Sequence, residues 1–288
     1  MRIFQFSLIT IASFISCFVE LLPSNAATFS NSEASLLLDN FNILPQNPNA
    51  DSNREAIASG NQFSIADASG DGTLAFINDK DNAFLKSDFN SSASGNGSNY
   101  YSLGASDSLI SSTFLVEEND TLSFDFTVSL KLKNKVDSEF YGSVTTYTEV
   151  SFSLFDNLTN AFLGDLAAVG NINTNLANNI NNDTIFATSN LNFTIDSLVE
   201  EKSFTENKEF ANLDIAGSIQ QTFTTATQVR LQASTFNLSC TQSIQNSDPC
   251  IQTTVPESSN VLTLTIGFLG ISAFSIRRIN KKNNSVVD

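Results

Sequence analysis

The sequence predicts an all-β protein, an antiparallel sandwich of the jelly-roll type, and three observations carry that expectation. Over residues 120–133, Leu122, Phe124, Phe126, Val128, Leu130 and Leu132 alternate with Ser123, Asp125, Thr127, Ser129 and Lys131. A period of two over that length is a strand with one face buried and one wet. Clusters of Asn, Asp, Ser and Gly recur about every ten residues, the spacing of many short strands joined by turns. No segment has a strong helical period, no internal repeat is found, and with 25 Phe and no Trp the core takes its bulk from phenylalanine.

The elements follow in order. Arg2, a mostly apolar run over residues 3–19 and the small residues Ser24, Ala26 and Ala27 make residues 1–27 a secretory signal peptide. Residues 28–254 then form one β domain. Residues 35–43 fit a strand or a short helix, and 63–66, 73–77 and 99–103 fit short strands. Residues 89–99, rich in Ser, Gly and Asn, read as a loop. Residues 108–117 form a strand that Glu118, Asn119 and Asp120 turn back into the strand at 120–133, a hairpin. Val150, Phe152 and Leu154 mark the next strand, with a turn at 156–160 and a return over 161–168. An asparagine-rich loop over 171–183 precedes strands marked by Leu191, Phe193 and Ile195, by Leu213, Ile215 and Ile219, and by Val229, Leu231, Ala233, Phe236 and Leu238.

Charge and cysteines narrow the class. Nine of the 14 basic and 27 of the 30 acidic residues fall within 28–254, a balance of −18. Nucleic acid is not expected as a partner, because so acidic a domain has no basic surface to displace phosphate counterions. Cys17 leaves with the signal peptide; Cys240 and Cys250 remain, an even number suited to one disulfide across a short polar loop. That closure stabilises by roughly 2.5–3 kcal/mol on the chain-entropy account.

No histidine is present, which removes Ser-His-Asp and Cys-His machinery and histidine metal sites. A carboxylate pair is the route left to a hydrolase acting on matrix sugars. Nothing beyond the abundance of Asp and Glu points to one, and the reading is of a non-enzymatic protein. The run Asp67, Ala68, Ser69, Gly70, Asp71, Gly72 resembles a calcium loop, with oxygens on Asp67, Ser69 and Asp71 at alternate positions. Asn78 stands where an EF-hand has its glutamate, and an ordinary Gly-Asp turn is the simpler reading. Calcium is the one cofactor considered. Tyr100, Tyr101, Tyr141 and Tyr147 are candidates for a sugar-stacking platform or for half-buried strand positions. Glu200, Glu201, Glu206, Lys208 and Glu209 read as a solvated loop or a charged edge.

The segment 255–283 carries the address. Val255, Pro256, Glu257, Ser258 and Ser259 precede a mostly apolar block over 261–276, and Arg277, Arg278, Lys281 and Lys282 follow. A membrane-crossing helix with basic residues kept on the cytoplasmic side fits that order. The block is short for a bilayer, at about 24 Å of helix, and snorkelling arginines extend it. This tail resembles the PEP-CTERM sorting signal of bacterial exported proteins, a Val-Pro-Glu-Pro-Ser motif, one span and a terminal basic cluster; Ser258 stands at the second proline. The resemblance implies recognition and cutting by an exosortase at the inner membrane. It also implies a final place at the cell surface or in an extracellular polysaccharide matrix. Sandwiches of this class are commonly carbohydrate-binding, and that fold analogy, with the Asp67–Asp71 loop, makes a polysaccharide-binding module, calcium-assisted, the alternative reading.

Overall fold

The computed structural model describes residues 28–250 except 61–64, 78, 80–82, 98, 137–141, 176–182, 191, 206–207 and 244–249. Twelve strands account for most of them. They are β1 Thr28–Asp39, β2 Gln46–Gly60, β3 Ile65–Ile77, β4 Phe84–Asn96, β5 Tyr100–Val116 and β6 Thr121–Lys135. The second half supplies β7 Ser143–Asp156, β8 Phe162–Asn175, β9 Thr184–Asn190, β10 Phe193–Phe204, β11 Lys208–Thr222 and β12 Thr227–Gln242. The chain is all-β, and every strand pairing is antiparallel.

The strands form two six-stranded sheets packed face to face. One, here sheet A, has the order β10-β11-β6-β1-β4-β3; the other, sheet B, has the order β2-β5-β12-β7-β8-β9. Strand β4 lies over β5 and β12, β1 over β12 and β7, and β6 over β7 and β8. The strong alternation read from the sequence is β6, whose Leu122, Phe124, Phe126, Val128, Leu130 and Leu132 are all at most 1% exposed. They pack in one apolar cluster with Leu36, Leu38, Phe114, Phe152, Leu154 and Leu231.

Several expectations are corrected. The turn at Glu118–Asn119 does not close a hairpin: β5 pairs with β2 and β12, β6 with β1 and β11, so this turn carries the chain from one sheet to the other. Residues 89–96 are not a loop but the larger part of β4, and β3 runs unbroken through the Gly-Asp segment. Strand β8 continues to Asn175, into the asparagine-rich stretch. The role given to asparagine holds elsewhere. Among the described residues, the non-glycine positions with positive φ are Asn40, Asn47, Asn99, Asn119, Asn160 and Asn192. This left-handed region is one that Asn tolerates better than most residues.

The interior has two unlike ends. Where β1 ends and β12 begins, it is filled by Leu, Val and Phe, with Phe41, Phe114 and Phe124 in mutual ring contact and Phe126 edge-on to Phe152 at 5.2 Å. Where β1 begins and β12 ends, the inward positions carry small and hydroxylated residues instead, among them Ser30, Ser32, Ser91, Ser106, Thr146, Asn237 and Ser239, all fully buried. Their hydroxyls bond within and between the sheets: Ser32 with Ser91 at 2.8 Å in sheet A, Ser108 with Thr235 at 2.7 Å in sheet B, and Ser91 to Ser239 at 3.0 Å and Ser87 with Ser108 at 2.8 Å from one sheet to the other. Buried polar groups are tolerated when paired in this way.

Candidate functional site

The hydroxyl-rich end holds the most unusual chemistry. Its strands continue their inward parity past the last leucines, so Asn134 follows Leu132 on β6, Glu209 precedes Ala211 on β11, and Thr174 follows Ile172 on β8. These side chains meet between the sheets. Ser30 and Thr146 share a hydrogen bond of 2.6 Å, and Thr146 donates to Asn134 Oδ1. The Asn134 amide donates to Thr174 Oγ1 at 3.4 Å, and Thr174 donates to Glu209 Oε2. With Thr146 donating to Asn134, only Ser30 can supply a proton between Ser30 and Thr146, and the same Ser30 hydroxyl also lies within donating distance of the Thr145 carbonyl, at 3.2 Å.

Glu209 is 2% exposed. Burial pushes its carboxyl up from 4.5 to about 7, the Thr174 hydroxyl pulls it back in part, and the carboxyl of Asp183 beside it pushes it up further. The group therefore changes charge near neutrality. Asp183 is held in turn by the Asn173 backbone N–H, which donates to it at 2.8 Å. Reading residues 206–209 as a solvated loop or edge is thus corrected at Glu209, which opens an internal strand.

The outer face of sheet B carries a second, half-buried carboxyl. Tyr147 and Glu149 alternate outward on β7, and the tyrosine hydroxyl donates to Glu149 at 2.6 Å. Burial raises the Glu149 carboxyl, and this hydrogen bond lowers it in part. The Tyr147 hydroxyl is itself raised, by burial first and then by the Glu149 charge. Phe236 on β12 lies against Tyr147, ring centres 5.8 Å apart. The three described tyrosines do not form one platform. Tyr100 points inward and is buried, Tyr147 is 3% exposed, Tyr101 sits half-buried near the start of β5, and Tyr141 lies outside the described residues.

The remaining predicted residues are placed as follows. Asp67, Ser69 and Asp71 all point outward along the edge strand β3, so they succeed one another at about 6.6–6.8 Å and do not converge. The expectation of a loop or turn there is corrected by the continuous ladder that β3 makes with β4. Asp71 is engaged by Arg54 at 3.2 Å and by the Gly72 N–H at 2.7 Å, and Ser69 shares a hydrogen bond with Ser92. Among the described residues no three acidic or cysteine side chains gather as metal ligands. Cys240 and Cys250 are joined, with Cα atoms 5.9 Å apart, on the outer side of β12. Val255, Pro256, Glu257, Ser258, Ser259, Arg277, Arg278, Lys281 and Lys282 lie outside the described residues, as does the signal peptide.

Two features went unread in the sequence. Extending the parity of Ala211, Leu213 and Ile215 backward puts Glu209 inside, a signal that was present. The same parity on β6 puts Lys131, Lys133 and Lys135 on one outer face. Comparison with family models, with curated proteins and with solved structures gives no match.

Proposed function

We propose that this is a non-enzymatic exported protein, a jelly-roll-like domain displayed at the cell surface or in the extracellular matrix through a C-terminal sorting tail cut by an exosortase at the inner membrane. The observation that carries the reading is the Cys240–Cys250 bond at the boundary between sandwich and tail. Disulfides persist in oxidising compartments, and this one clamps the chain to the outer side of a central strand just before the segment that resembles a sorting signal. The ribbon formed by β2-β3 and β4-β5, which crosses the sandwich edge as a pair, supports the jelly-roll description. Two of the carboxyls shifted toward the protonated form, Glu149 and Glu209, serve internal hydrogen bonds, a structural use.

Fractionation of the native host followed by intact-mass analysis tests this proposal. The expected product lacks about 27 N-terminal residues, is trimmed near Pro256 and is recovered outside the cytoplasm. A cytoplasmic chain that keeps both ends and free thiols would overturn it. A second reading, a module that holds extracellular polysaccharide, is favoured by the outer face of sheet A. That reading stands without calcium, since Asp67, Ser69 and Asp71 succeed one another along β3.

A further inference from the structure

We infer that the outer face of sheet A, at the hydroxyl-rich end, is a binding strip for an anionic polysaccharide. The assignment deepens the second reading above and rests on it for the ligand class. It starts from an arrangement that folding does not explain. In an acidic domain, Lys135 on β6 and Lys208 on β11 stand directly opposite each other in the ladder, and both are exposed. Like charges at directly opposed positions are destabilising, and neither lysine has a carboxylate within ion-pair reach among the described residues. Lys133, two residues along the same strand, and Lys131, which Glu33 approaches at 4.0 Å, lie on the same face, and both have partners within the domain.

The surroundings fit a carboxylated or sulfated sugar chain. Phe29 on β1 is the register partner of Lys135, and Phe210 on β11 that of Lys133; both rings are half-buried and lie on the same face as the lysines. Asn31 flanks Lys133 on the other side. Ring faces alternate with cations at about 4.8 Å across strands and about 6.7 Å along them. Such a flat strip can stack pyranose rings while ammonium groups meet the acidic substituents. A membrane surface would call for apolar side chains that project, and these two rings are seated in the sheet. The outer face of sheet A itself carries Glu33, Asp88, Asp125 and Asp214, but these lie farther along the strands from Lys135 and Lys208, so the cations are concentrated at the hydroxyl-rich end, where a polyanion is attracted locally.

The test uses the full chain purified in mild detergent, with alginate as the probe. Neutral dextran, oligo(dT) and phosphatidylglycerol vesicles at matched charge serve as comparison arms. Alginate is expected to bind, dextran not, and binding should weaken at least tenfold between 50 and 300 mM salt, about the range in which screening removes exposed charge contacts. The double variant Lys135→Gln/Lys208→Gln should lose at least tenfold in alginate affinity while its urea midpoint stays level or rises, since the repulsion is gone. The inference is overturned by no alginate binding, by equal binding of dextran, or by affinity unchanged in the double variant. Tighter binding of oligo(dT) or of vesicles than of alginate also overturns it. A double variant that unfolds at lower urea would show that the lysines are neutralised within the domain, and that too defeats the inference. Alginate binding by a chain that fractionation finds in the cytoplasm would leave the strip standing while the export proposal fell.

Discussion

The two ends of the sandwich interior bury equally well and are built on different principles. At one end Phe114, Phe124, Phe126, Phe152, Leu154 and Leu231 remove large apolar areas from water, a non-directional gain of about 25 cal/mol per Å². At the other, serine and threonine hydroxyls join the sheets, and the small side chains let the backbones approach closely. A Cβ on Gly104 would fall against the carbonyl oxygens of Ser69 and Ser92 in the opposite sheet. Each paired hydroxyl contributes only about 1 kcal/mol net, but leaving one unpaired costs its desolvation. The apolar end therefore supplies most of the stability. The hydroxyl end makes any other register or spacing unfavourable, and it is the end where β1 starts, β12 finishes and the lysine strip lies.

The comparison is broken most directly from the apolar side. Phe126 is 1% exposed and touches both Phe152 and Phe193. Phe126→Ala should cost about 3–5 kcal/mol of unfolding free energy by removing the ring and leaving a cavity. Urea denaturation at fixed pH measures it. A loss under about 1 kcal/mol would mean that this end collapses around the gap and is not the rigid anchor described.

Gly104→Ala attacks the other end by its spacing. The added methyl meets backbone on both sides, which has no rotamer with which to move away. Overpacking of this kind costs about 1–3 kcal/mol, and more when backbone must shift. Gly170→Ala is the control, because its new methyl would meet the flexible end of Leu132 instead. A smaller loss at Gly104 than at Gly170 would contradict the close backbone approach.

The pH response separates the two ends as well. The folded state holds the Glu209 proton up to about pH 7, above the ordinary 4.5. A carboxyl that is harder to ionise when folded favours folding below its ordinary value and disfavours it progressively from there to its folded value. Between pH 5 and 8 the wild type should therefore lose about 2–3 kcal/mol relative to Glu209→Gln. Parallel urea midpoints for the two proteins across that range would show that Glu209 is not titrating in the interior.

The same division explains what could be read from the sequence. Strand β6 was legible because Phe and Leu alternate with Ser, Asp, Thr and Lys, a contrast that fixes the inward face. Strand β4 was not, because Ser91, Ala93 and Gly95 face inward while Asn90, Ser92 and Ser94 face outward. Where both faces are small and polar, a period of two carries no signal, and Ser-Gly-Asn composition reads as loop. The turn at 118–119 was placed correctly, but nothing local to a turn says whether the chain rejoins its own sheet or crosses to the other. The disulfide was legible from cysteine count alone. The lysine strip was hidden in a net charge, which averages over faces that only the ladder register separates.

The finest test concerns the hydroxyls themselves. Ser87, Ser108 and Thr235 are each at most 1% exposed and form a closed triangle, with separations of 2.8, 2.7 and 3.0 Å. Ser108→Ala alone should cost about 1–2 kcal/mol, since it strips a partner from two buried groups. Replacing all three, as Ser87→Ala, Ser108→Ala and Thr235→Val together, leaves no buried polar atom at that point. Its total cost should then be less than the sum of the three single losses. Such non-additivity is expected of residues in one network, and a double-mutant cycle in urea resolves it. Strict additivity would mean that each hydroxyl is satisfied independently, and that the triangle is three contacts and not one unit.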